Sequence, residues 1–225
     1  MLETALLLLL AHLLGDYLFQ TNTMVARKPE LKVLGLHIAI HGALYTAVLW
    51  QSWGLIALLT ASHFLIDWIK INYGRDEIWS YLADQTAHLG MIAVILALGA
   101  TSPWAVPDEW LKITVYACGL IITTLAIGPI IGYVMRPYAA QITSEGLENA
   151  GKLIGQLERA LIFILILVGA PSGIGFLIAA KSVLRYNKEN EQKFTEYVII
   201  GTLASFGLAL ATSYFTVWSA DQLFP

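Results

Sequence analysis

Apolar residues run along the chain in long blocks, and on four of these blocks polar positions interrupt at a four-residue spacing. The blocks fall at roughly 2–20, 33–50, 53–71, 78–99, 111–135, 152–170, 172–187 and 195–218. A helix needs about 20 mostly apolar residues to cross a bilayer. The pattern therefore predicts an all-α, polytopic transmembrane helical bundle of about eight spans. The seventh block is short and carries Lys181 and Arg185, so seven spans plus a re-entrant piece is the alternative. The stretch "TSPWAVPDEW" at 101–110 breaks the pattern with two prolines. It divides a first four-helix half, 1–100, from a second, 111–225, with 101–110 as a loop on the outer side.

Composition agrees with a membrane location. Hydrophobic residues make up 57% of the chain and charged residues 13%, with a mean hydropathy of +0.68, which no ordinary soluble domain shows. The opening "MLETALLLLL" lacks the basic start of a cleaved leader and reads as the first helix. The single cysteine, Cys118, has no partner for a disulfide or a thiolate zinc site. No basic run points to nucleic acid.

Charge fixes the expected orientation. If the loops after the first, third, fifth and seventh spans share one side, that side and its helix ends hold Arg27, Lys28, Lys32, Lys70, Arg75, Arg136, Lys152, Arg159, Lys181, Arg185, Lys188 and Lys193. Only Lys112 is left for the other. Such asymmetry marks the cytoplasmic side and places both termini outside the cytoplasm. The tryptophans agree: Trp50, Trp53, Trp104, Trp110 and Trp218 fall at outer boundaries, Trp68 and Trp79 at inner ones.

The polar interruptions carry the candidate chemistry. All five histidines lie between 12 and 88, each four residues from a histidine or an aspartate: His12 and Asp16, His37 and His41, His63 and Asp67, Asp84 and His88. Residues four apart share a helix face with Cβ atoms about 6 Å apart, close enough to grip one ion. Counted from the cytoplasmic helix ends, all eight lie roughly 6–15 Å deep at 1.5 Å per residue. They form one layer in the cytoplasmic half of the membrane. Buried ionisable groups at that depth cost about 2.5–3.5 kcal/mol each on insertion scales, and a shared cation removes the cost. Imidazole and carboxylate suit one or two divalent ions, zinc first, with iron or manganese as alternatives. Gln20, Asn22 and Gln85 are placed to orient ligands. A carboxylate not needed for ligation, Asp16 or Asp84, would serve as a catalytic base. A proton or ion path and a purely structural polar network are the competing readings of the same layer.

The strings "HLLGDYLFQTNTMVARK", "LGLHIAIH", "HFLIDWIK" and "DQTAH" resemble an uncharacterised bacterial family of polytopic membrane proteins, a domain of unknown function. The later "GKLIGQLER", "GFLIAAKSVLRY" and "EYVIIGTLAS" are similar to the C-terminal half of its longer members. The resemblance implies a multi-pass protein of the bacterial inner membrane and carries no activity with it. A looser likeness, in residue type and placement, is to integral-membrane metal-dependent hydrolases. In the second half, Lys181 and Arg185 share a helix face, and with Arg159 they are candidates to hold the anionic group of a lipid or lipid-linked substrate. An ion-pair network with Glu158 and Glu196 is the plainer reading of these charges.

The expectation is therefore a membrane-embedded metal-dependent hydrolase of a phosphoester or lipid-linked substrate, with a divalent-cation or proton transporter as the alternative. A di-iron oxidase ranks lower, because the HxxHH spacing is absent. Oligomeric state is left open.

Overall fold

In the computed structural model, residues 1–141, 150–185 and 192–225 are described, without the side chains of 182–185. Lys188, one of the cations used for orientation, lies outside them, as does the side chain of Arg185. The described chain is helical with no strand: α1 (Leu2–Leu13) continued by a π-helical turn (Leu14–Leu18), α2 (Asn22–Arg27), α3 (Leu31–Leu49), α4 (Trp53–Tyr73) and α5 (Ile78–Ala97), then α6 (Asp108–Ile121), a second π-helical turn (Ile122–Ala126), α7 (Ile127–Ala139), α8 (Ala150–Leu167), α9 (Ser172–Arg185) and α10 (Gln192–Leu223). Each apolar block of the sequence is thus a helix.

Four helical segments are long and apolar enough to cross a membrane: Leu31–Leu49, Trp53–Tyr73, Asp108–Ala139 and Gln192–Leu223; Ser172–Lys181 is a shorter apolar one. The other expected spans fall short for physical reasons. The α-helical part of α1 stops at Leu13, α5 is diluted by Asp84, Gln85 and His88, and α8 carries Lys152, Glu158 and Arg159. Apolar side chains also point away from the protein: Trp53 and Leu203 are each 67% exposed and Phe176 76%. In water such faces would be buried, so they are surfaces for lipid.

Two compact units divide the chain: Met1–Cys118 with Phe224, and Gly119–Leu223 with Pro225. In the first unit α1 packs on α3 and α5, and α4 packs on α3 and α5, closing a ring of four helices. A single stripe at helical spacing builds its interior. It runs Leu8, His12, Asp16 on α1 and its π turn; His37, His41, Tyr45, Leu49 on α3; Ile56, Leu59, His63, Asp67 on α4; and Asp84, His88, Ile92, Ile95 on α5. Apolar members gather in one half as the core of Leu8, Tyr45, Leu49, Ile56, Leu59, Ile92 and Ile95. Reversal of direction from helix to helix sends the polar members to the other half. Gly99, at φ 88°, ends α5 in the left-handed conformation that glycine adopts freely.

The second unit packs α10 on α7 and α8, and α9 on α8. Ile162, Ile166, Ile174, Phe206 and Ala209 form its core. A π-helical turn, Ile122–Ala126, lies just before Gly128 and Pro129. Pro129 has no N–H to offer the preceding turn, which loosens the backbone ladder there.

Candidate metal centre

Seven of the eight groups of the layer are buried: His37 and His41 are 0% exposed, His12, His63 and Asp67 1%, His88 3% and Asp84 6%, while Asp16 is intermediate, its side chain 8% exposed. Asp16 is the hinge of the arrangement. Its Oδ1 lies 3.0 Å from His41 Nε2, 3.4 Å from His37 Nε2 and 3.6 Å from His63 Nε2. Its Oδ2 lies 3.7 Å from His12 Nε2. Asp67 Oδ2 stands 3.3 Å from His37 Nε2 and 3.6 Å from His63 Nε2.

Three sets have ligand atoms mutually within 4.8 Å: Asp16, His37, His41 and His63; His12, Asp16 and His88; and His63, Asp67 and His88. Seven of the eight expected ligands are thus brought together. Asp84 stands beside them, its Oδ1 3.9 Å from His88 Nδ1.

These residues fit a cation. His12 Nδ1, Asp67 Oδ2, Asp84 Oδ1 and both nitrogens of His88 are buried without a hydrogen-bond partner. Each such atom left unpaired costs about 1–3 kcal/mol, a cost that a shared cation would remove. Nitrogen and carboxylate oxygen suit a divalent ion of the zinc, iron or manganese group.

The surrounding shell was partly legible. Gln85 donates to Asp16 Oδ2 and to Asp84 Oδ2, both at 3.1 Å, while its Oε1 accepts from Tyr17 at 2.9 Å. Gln20 meets His37 Nδ1 at 3.3 Å. With its amide turned so that both ends are satisfied, its nitrogen donates to the Asp16 carbonyl (3.3 Å) and its oxygen accepts from Lys28 Nζ (3.2 Å). Asn22 lies at the exposed start of α2.

Several participants were missed. Lys28 donates to Asp67 Oδ1 and Lys70 to Asp84 Oδ2, both at 2.7 Å. Each lysine reaches across to another helix, and spacing along one helix cannot show that. Gly15 lies against the His41 ring so closely that a Cβ there would overlap it.

Tyr45 had a readable signal: it continues the stripe of His37 and His41 by one more turn. Its Oη lies 3.2 Å from His41 Nδ1 and 3.3 Å from His63 Nδ1. A phenol oxygen can accept from both Nδ1–H groups, which would leave both Nε2 lone pairs available to an ion held beside Asp16. Tyr45→Phe is therefore expected to weaken metal binding about 10–100-fold, the usual cost of an outer-shell loss. Competition with a chromogenic chelator measures this, and an unchanged affinity would show that the two tautomers are set elsewhere.

In the second unit, the guanidinium of Arg159 is buried and donates to Thr123 O (2.9 Å), Thr124 O (2.7 Å) and Ser205 Oγ (3.3 Å). Lys181 donates to Glu158 Oε2 at 2.7 Å.

Residues 4–112 match the family model described as "Protein of unknown function (DUF3307)". This segment is similar to the DUF3307 family. It spans α1 to the start of α6 and contains all eight residues of the layer. Neither the curated proteins nor the solved structures include a match to the chain. Within residues 4–112 the buried His and Asp groups could hold a metal ion.

Proposed function

We propose that the segment similar to DUF3307 is a membrane-embedded metal centre and that the protein is a metal-dependent hydrolase of a phosphoester or lipid-linked substrate. The observation that carries this reading is the set of buried, unpartnered atoms on Asp67, Asp84 and His88, packed against histidines whose ligand nitrogens already converge on Asp16. In this reading the chain crosses the membrane eight times with both termini outside. The layer lies in the cytoplasmic half and is reached from the cytoplasmic leaflet. The distribution of Lys and Arg supports that orientation.

Asp16, His37, His41 and His63 would hold the ion, with Asp67 at its edge. A metal bound there supplies Lewis acidity, polarising a phosphoryl oxygen and acidifying water. The protein contributes the rest. Lys70 and Gln85 fix one oxygen of Asp84, which leaves Oδ1 free to take a proton, the role of a general base. Lys28 and Lys70 touch carboxylates of the layer, with side chains 17% and 34% exposed. They are placed to meet an anion arriving from solvent. Arg159 and Lys181, the anion-holding candidates read from the sequence, donate to backbone carbonyls and to Glu158 respectively.

Protein purified without chelator should carry at least one transition metal per chain by mass spectrometry. The His63→Ala, Asp67→Ala double variant should carry almost none. A wild-type protein free of metal would end the proposal.

One observation favours transport as the second reading. Polar contacts run unbroken from Lys70 through Asp84, Gln85, Asp16, His41 and Tyr45 to His63, a line that suits proton or cation passage. Metal-dependent flux into vesicles lacking any hydrolysable lipid would favour it.

A further inference from the structure

We infer that the layer is a two-metal site, with a second ion held by His12, Asp16 and His88 and with Asp16 bridging the pair. This rests on the reading of the layer as a metal centre and goes beyond it in number, in placement and in what it demands of the substrate.

Two of the three ligand sets meet at Asp16, and the third, His63, Asp67 and His88, takes one histidine from each. Asp16, His37, His41 and His63 form one group and His12, Asp16 and His88 another, and only Asp16 belongs to both. The two oxygens of Asp16 follow the same division: Oδ1 is the atom near His37, His41 and His63, and Oδ2 the atom near His12. A carboxylate presenting one oxygen to each of two histidine groups is the geometry of a bridging ligand.

One ion cannot account for what remains. An ion among Asp16, His37, His41 and His63 leaves both nitrogens of His88 without a hydrogen-bond partner, and a second ion would take one of them together with His12 Nε2, the nitrogen 3.7 Å from Asp16 Oδ2. The rings of His12 and His88 lie with centroids 5.2 Å apart, tilted by 35°, so the two present themselves to a common space. Their set also differs in kind from the first. Four protein ligands close a tetrahedral ion, whereas three leave a position open, as sites that act on substrate do.

Charge then specifies the substrate. Asp16, Asp67 and Asp84 set against Lys28 and Lys70 leave one negative charge, with the histidines neutral. Two divalent ions convert this to three positive charges in a buried layer. A polyanionic group such as a phosphate monoester or diphosphate would offset that excess, and a neutral ester or amide would not.

The experiment is a metal titration of chelator-stripped full-length protein in detergent with Mn²⁺, followed by calorimetry and by electron paramagnetic resonance. Two equivalents with an exchange-coupled spectrum are expected in the wild type, and one equivalent with an isolated six-line spectrum in His88→Ala. One uncoupled equivalent in the wild type overturns the inference while leaving the metal centre standing. No binding at all overturns both. Two ions retained in His88→Ala and in His12→Gln would overturn the placement. Because the coupled spectrum is read on the unmutated protein, the test survives a variant that fails to fold. Inorganic phosphate or pyrophosphate should perturb the two-metal spectrum, and a spectrum insensitive to both would overturn the assignment of a polyanionic substrate.

Discussion

Asp16→Ala is expected to strip the layer of metal more completely than any other single substitution in it. His63 and His88 also belong to two ligand sets each, but they are neutral. Of the residues shared between sets only Asp16 is negatively charged, and both of its oxygens are in contact, Oδ1 with His41 at 3.0 Å and Oδ2 with Gln85 at 3.1 Å. Removing one partner of a buried charged network costs about 3–5 kcal/mol, which corresponds to about 10²–10⁴ in metal affinity. Asp16→Asn separates charge from shape: it keeps the volume, and should lose metal like the alanine variant while unfolding closer to wild type. Metal content and thermal unfolding in detergent, measured side by side on the two variants, check both halves. Wild-type metal content in Asp16→Ala would remove Asp16 from the ligand sets and with it the bridge.

How far this site could be foreseen depended on whether its parts shared a helix. The pairs His12 and Asp16, His37 and His41, and His63 and Asp67 were legible because four residues make about one helical turn. Their common level followed from counting in opposite directions along antiparallel neighbours. Lys28 and Lys70 were not legible, because their carboxylate partners lie 39 and 14 residues away. The π turn at Leu14–Leu18 left no mark in composition either. It inserts an extra residue per turn, seen in the Phe19 N–H donating to Leu14 O at 2.8 Å, and it carries Asp16 and Tyr17. Such bulges are frequent at functional sites. Gly15 within it explains why α1 can approach α3 at His41, a requirement that only the packed helices reveal. The long helices were readable from apolar blocks alone, because polar residues, glycine or proline interrupt the chain between them, as Gln51 and Ser52 do between α3 and α4; the short α2 was not. Which helices suit a bilayer by length and composition was less readable, since the polar groups that make α5 and α8 interesting also lower their apolar character.

The second unit offers the other large effect, and it concerns stability. Arg159→Met is expected to destabilise the protein by about 2–4 kcal/mol without changing its metal content. The guanidinium is 4% exposed, and its strongest contacts are with the carbonyls of Thr123 and Thr124. Both carbonyls belong to the π turn Ile122–Ala126, where the ladder is already short of a donor because Pro129 has no N–H. In an apolar surrounding no water replaces that donor. Methionine would leave two carbonyls unpaired at about 1–3 kcal/mol each, offset in part because a desolvated cation is also removed. Arg159→Lys should recover little, since a single ammonium cannot reproduce the planar fork that bonds both carbonyls. Gly155 and Gly128 flank the guanidinium, a Cβ at Gly155 coming within 3.2 Å of Nη1 and one at Gly128 within 3.6 Å of Nη2. A side chain at Gly155 would therefore press on the guanidinium, while one at Gly128 would meet it at ordinary contact distance. Unfolding by graded denaturing detergent, read by circular dichroism, measures the difference. A change under about 0.5 kcal/mol, the range of an ordinary surface substitution, would mean that the freed carbonyls find other donors and that Arg159 is available for a ligand after all.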